Sequence, residues 1–197
     1  MTLPMTDENL DSLWAHLSRR LRSRPVRKTG KPLMRIASRI VERRAGLSRD
    51  EFLNGYVTTL RRRIFVPGAY DQWPFASRFR LAVHEHQHVA QWRRGRLRYL
   101  IRYAASPKHR AEYEAEAMVA DEYVMSRVFG HSVPLPHFER RVRVELQRAY
   151  DVPREIAEPT ALDAELRLMN TATGVVEPPK AARLAIQWAR GKGWDGR

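Results

Sequence analysis

The sequence predicts a mostly helical α+β fold, with a small antiparallel sheet and extra helices at both ends. Three observations predict it. Apolar residues recur at helical spacing through most of the chain, as in Leu10, Leu13, Leu17 and Leu21 or Phe75, Phe79, Ala82, Val83 and Val89. One stretch, 56–66, is instead rich in β-branched and aromatic residues and ends at Pro67-Gly68. With 197 residues, 43% of them hydrophobic, the chain is long enough to bury one real core and carry an appended arm.

The elements follow in order. Residues 7–24 read as an amphipathic helix that Thr6 or Asp7 can cap. From Arg19 to Lys31 run seven basic residues, Arg19, Arg20, Arg22, Arg24, Arg27, Lys28 and Lys31, broken by Pro25, which reads as a flexible basic arm or linker. No aromatic interrupts this run, so it offers no platform for stacking bases. A short helix is expected at 33–45 and another starting after Ser48. Ile64-Phe65-Val66 reads as a strand. Pro74 to Arg94 carries a strong helical pattern, with Pro74 suited to its first turn and Gly95 to its stop. Residues 96–104 fit strand or helix. A long helix is expected over 108–129, stopped by Gly130, and further helices at 137–150, 160–169 and 179–190. This divides the chain into a basic helical arm (1–50), a central core (51–135) and a helical extension (136–197).

Composition narrows the chemistry. There is no Cys, so disulfides, thiolate metal sites and a Cys nucleophile are excluded, and any metal must be held by His and carboxylates. No apolar run approaches the roughly 18–20 residues of a membrane span. The polar, acidic start lacks the basic and apolar regions of a secretory signal, which leads to the expectation of a cytoplasmic protein. Thirty-six Lys+Arg against 22 Asp+Glu leave a net charge of +14. That balance favours nucleic acid or an acidic protein or assembly as a partner, with a merely solvated basic surface weighing equally.

The chemistry concentrates at His84-Glu85-His86-Gln87-His88. Four residues apart on a helix, His84 and His88 lie about 40° apart on one face and can reach one zinc ion at about 2.0–2.1 Å. Glu85, next to the first ligand, stands beside the metal, where it can take a proton from the attacking water. His86 lies roughly 200° around the helix and is not a ligand; with Gln87 it reads as a surface or supporting group. A catalytic site needs a third protein ligand, and the next predicted helix offers Glu112, Glu114 and Glu116.

Val83 to Gly95 (VHEHQHVAQWRRG), followed by Tyr99, Tyr103, Arg110 and Tyr113-Glu-Ala-Glu-Ala117, resembles small bacterial and phage HExxH proteins of the gluzincin type, similar in layout to thermolysin-like and minigluzincin cores. The resemblance covers roughly 60–130. It implies a zincin-like core binding one Zn2+ per chain through His84, His88 and Glu114, with Glu116 the rival third ligand, Glu85 the general base and Asp121 behind a ligand His. Tyr103, His131, Tyr113 and His109 are candidates for the group that stabilises the transition state. It also implies a substrate-binding edge strand, assigned to Arg62–Val66, where Arg61-Arg62-Arg63 would favour acidic peptides. The leading functional expectation is a zinc metallopeptidase acting on a peptide or protein. The alternatives are a non-catalytic zincin-fold assembly component, for example of a phage particle, and a basic nucleic-acid-binding protein.

Overall fold

Thr6 opens the first helix by accepting the N–H of Asn9 on its hydroxyl, and α1 runs Asp7–Leu21. Acids in its first turn and Arg19 and Arg20 in its last complement the helix dipole. Its leucines at 10, 13, 17 and 21 are all buried. The computed structural model describes residues 3–28, 31, 34, 48–131 and 134–194; but for Met34, the helix expected at 33–45 lies outside them.

After α1 the chain turns at Arg22, in the left-handed conformation, into strand β1 (Arg24–Arg27). Helix α2 (Arg49–Gly55) precedes a hairpin of β2 (Thr58–Leu60) and β3 (Arg63–Val66), closed by the two-residue turn Arg61-Arg62. Such turns demand a positive φ, and Arg61 supplies it at 58°. The sheet order is β1-β3-β2, with β3 parallel to β1 and antiparallel to β2. The sheet is therefore mixed rather than antiparallel. The difference comes from the basic stretch, expected to be a flexible arm, which supplies β1; the long connection before β3 lets the two run parallel. Arg62–Val66, read as the edge strand, is in fact central: Ile64, Phe65 and Val66 are buried, and β2 is the edge on that side.

A 3-10 turn at Gly68–Gln72 leads to α3 (Phe75–Ala105), the motif helix. The helix does not stop at Gly95. It kinks at Arg96 (φ 46°, ψ −127°) and continues to Ala105. A side chain at Gly95 would stand 3.0 Å from the Tyr99 Cβ, so the kink packs too tightly for one. Then come α4 (Pro107–Phe129), α5 (Leu135–Arg148), α6 (Arg154–Ala172) and α7 (Lys180–Gly191). Ser106 caps α4, and Gly130, in the left-handed conformation, ends it.

Helix α4 lies between two apolar cores. Ala120, Val124, Val128 and Phe129 face a core built with α1, β3, α3 and α7, where Phe79 meets Phe129 edge-on at 4.5 Å. Ala111, Ala115, Met118 and Val119 face a second core with α5 and α6 around Phe138, Val142 and Leu146. Each large side chain so buried is worth about 1.5–3 kcal/mol. The first core draws on residues from Leu3 to Trp194. A helix buried on two sides also buries its polar residues, so Glu114, Glu116, Asp121 and Glu122 on α4 must all find partners. No described helix is long and apolar enough to cross a membrane.

Candidate metal centre

Those partners come mainly from α3. His84 and His88 point at α4 one turn apart, and Glu114 meets both. His84 Nε2 lies 3.2 Å from His88 Nε2 and 3.2 Å from Glu114 Oε2, and His88 Nε2 lies 3.3 Å from the same oxygen. All three residues are buried, and the group can hold a metal ion.

Each donor is held from behind. Asp121 Oδ2 accepts from His84 Nδ1 at 3.3 Å, which leaves Nε2 free to point into the site. Asp121 Oδ1 accepts from Arg80 and Arg141, each at 3.3 Å, and both guanidinium groups also reach Glu122. His88 Nδ1 donates to Gln91 Oε1 at 2.8 Å. Gln91 in turn donates to the Tyr113 carbonyl and to Glu116 Oε2, both at 2.9 Å, which fixes which way its amide faces. Tyr103 donates to Glu114 Oε1 at 2.5 Å. Arg110 binds the carbonyls of Tyr103 (3.2 Å) and Tyr150 (2.7 Å), tying the two tyrosines to one side chain.

Charge follows this arrangement. Burial opposes ionisation of Glu114, but the two histidines against it hold its carboxyl far below the usual range, so it stays a carboxylate. Burial likewise opposes charge on His84, and the hydrogen bonds to Asp121 and Glu114 outweigh it, raising its pKa well above the ordinary value. Burial also pushes the pKa of Tyr150 well up, reinforced by the Glu114 charge, which keeps its proton available for donation.

Glu85 lies beside this group. Its Oε2 accepts the hydroxyl of Thr59, on β2, at 2.6 Å. A cleft of about 280 Å³ opens there, lined by Tyr56, Trp73, His84, Glu85, Arg141 and Tyr150 among others.

Other expected residues lie elsewhere. Glu116 serves Gln91, Arg94 and Arg167 instead of facing the histidines. Glu112 is exposed. His131 is exposed just beyond α4, His109 bonds to Ser106, and Tyr113 packs its ring at a tilt against Tyr99, 4.7 Å between centres. His86 and Gln87 are not surface groups. His86 is fully buried, bonds to the Ala82 carbonyl (2.6 Å) and Ser18 (3.2 Å), and packs on Trp14, joining α3 to α1. Gln87 Oε1 accepts the Ala181 N–H at the start of α7. Of the basic stretch, Arg19, Arg20, Arg22, Arg24, Arg27 and Lys31 are exposed, although Arg27 pairs with Asp71 at 2.5 Å. Lys28 is 1% exposed, donates to the Phe52 carbonyl at 2.7 Å and sits over its ring, so it presents no charge to a polyanion.

Sequence reasoning missed Thr59, Gln91, Arg80, Arg141 and Tyr150. Only Gln91 carries a local signal, three residues after His88 on the same helix face. No family model matches the chain, and no curated protein or solved structure is matched by it either.

Proposed function

We propose that the chain is a zinc-dependent peptidase with a zincin-like core, in which His84, His88 and Glu114 bind one Zn2+ and Glu85 is the general base. One observation carries the reading: three buried donors stand 3.2, 3.2 and 3.3 Å apart. Ligands about 2.0–2.1 Å from a tetrahedral zinc stand about 3.3 Å from one another, and three protein ligands leave the fourth position for water and substrate. The donor set, two neutral-capable imidazoles and one carboxylate without thiolate, suits zinc, and each donor is held by a second group. Bound there, zinc would polarise a scissile carbonyl and acidify a water.

The chain's own residues would do the rest. Thr59 holds Glu85 by one oxygen, and the other, which bonds to nothing among the described residues, is left to accept the water's proton and pass it to the leaving amine. Tyr150, on the cleft wall, donates its hydroxyl hydrogen bond toward charge developing on the carbonyl oxygen. Tyr103 does not share that role, since its proton is committed to Glu114.

The experiment is metal analysis of untagged protein together with Glu85→Gln. About one zinc per chain is expected, with cleavage of a broad peptide library falling at least about 10²-fold in the variant and zinc retained. Protein unable to take up zinc sinks the proposal. Zinc-loaded wild type that cuts no peptide favours the non-catalytic assembly reading.

A further inference from the structure

Two turns along α3 from Glu85 lies a second groove of about 730 Å³, lined by Leu60, Arg61, Arg62, Arg63, Trp92, Arg93, Arg96 and Leu100. We infer that this groove seats acidic side chains of a peptide substrate, about three residues from the bond that is cut. The inference rests on the peptidase reading and names the substrate class.

Charge is the first ground. Five exposed arginines line the groove and no acidic residue does. None of the five forms an ion pair with a described residue, whereas Arg80, Arg94, Arg141 and Arg167 elsewhere all do. Five like charges repel unless an anion joins them, and guanidinium forks match carboxylates in shape. The Arg61 guanidinium lies over the Trp92 ring, 5.6 Å from its centre, a cation–π contact that holds this arginine at the groove. Arg61 and Arg96 both hold positive φ, at 58° and 46°. Non-glycine residues in that region store strain, and strain of this kind gathers at binding sites.

Placement is the second ground. From Glu85 to Trp92 is seven residues, about 10.5 Å along the helix and about 20° around it, so both share one face. Strand β2 follows the same path. Thr59 bonds to Glu85, and two residues on Arg61 covers Trp92. The cleft beside Glu85 touches Val57 just before β2, and the groove begins at Leu60 at its end. An extended peptide rises about 3.3 Å per residue, so three residues span the distance from the reacting bond to the arginines. A nucleic acid is matched less well, because Trp92 is the one aromatic lining the groove and offers a single stacking platform.

The test uses Glu85→Gln protein supplied with zinc and two short fluorescent peptides, identical except that Asp and Glu in one are Asn and Gln in the other. Fluorescence anisotropy should show the acidic peptide binding about tenfold tighter, with the advantage shrinking as salt rises. Arg62→Gln with Arg93→Gln, and Arg62→Glu alone, each leave the groove two charges less positive and should each cut the preference severalfold; circular dichroism checks that each variant is folded. Equal binding of the two peptides, or an acidic preference undiminished in both variants, overturns the inference. So does a groove-dependent preference for a single-stranded oligonucleotide over the acidic peptide. Cleavage by the wild type is read separately, on the broad peptide library: if it cuts nothing there, the peptidase reading fails, while the binding comparison still decides what the groove holds.

Discussion

Asp121 links the candidate metal site to the helix packing behind it, so replacing it should disturb two measurable quantities by different amounts. Its Oδ2 orients His84, and its Oδ1 receives two guanidinium groups at 3.3 Å. At an effective dielectric of about 20, one such contact is worth roughly 5 kcal/mol before desolvation is subtracted. Breaking a buried pair costs about 3–5 kcal/mol net. Arg80 and Arg141 are 22% and 26% exposed and keep Glu122, so the low end applies. Asp121→Asn should therefore lower the unfolding free energy by about 3 kcal/mol in a urea titration. Zinc affinity should fall separately, because the group behind a ligand His typically contributes 10–100-fold. The asparagine oxygen can still accept from His84 Nδ1, which places this variant near tenfold, about 1.4 kcal/mol. Asp121→Ala keeps no acceptor and should approach 100-fold. Competition with a chelator of known affinity measures both. A loss of stability with zinc affinity unchanged within about twofold in both variants would refute the claim that Asp121 orients a metal ligand.

Two further outcomes are expected. Tyr150→Phe should reduce kcat about 10²-fold with zinc content and KM little changed, since it removes the donor that the proposed mechanism uses in the transition state; a loss confined to KM would assign Tyr150 to substrate binding instead. Lys28 should give wild type a rise in stability between about pH 8 and 10.5: burial lowers its pKa from 10.5 to about 8, so across that window the unfolded chain binds the extra proton and folding becomes more favourable as pH increases. The full rise is at most about 3 kcal/mol and should be absent in Lys28→Met, so parallel curves for the two proteins over that window would contradict it.

Much of the candidate site was legible in the sequence, because a helix converts spacing into direction. His84 and His88 at i and i+4 had to share a face, and Glu85 had to lie beside them. The choice between Glu114 and Glu116 was not legible. Both sit on α4, 200° apart, and only the packing of α3 on α4 turns the first toward the histidines and the second toward Gln91 and the arginines. His86 and Gln87 were misplaced for a related reason. His86 sits among Ala82, Val83, Val89 and Ala90 on the apolar face of α3, with Gln87 at its margin, and only the packing of α1 and α7 over that face supplies their partners, Ser18, Trp14 and the Ala181 N–H.

The sheet shows the same division. The β-rich character of 56–66 is local, and its strands are where composition puts them. That β1 joins them in parallel, making β3 central and leaving β2 to touch Glu85, is a long-range pairing with no mark in the basic run that forms it. By itself, then, the sequence determined the helical frame, the strand-forming segment and a pair of histidines with a glutamate beside them, because backbone periodicity and residue type act over a few residues. Tertiary structure alone decided the third donor, the hydroxyls of Thr59 and Tyr150 around the cleft, and the arginines gathered two turns away. Those groups meet only where segments far apart in the chain are brought together by burying their apolar faces.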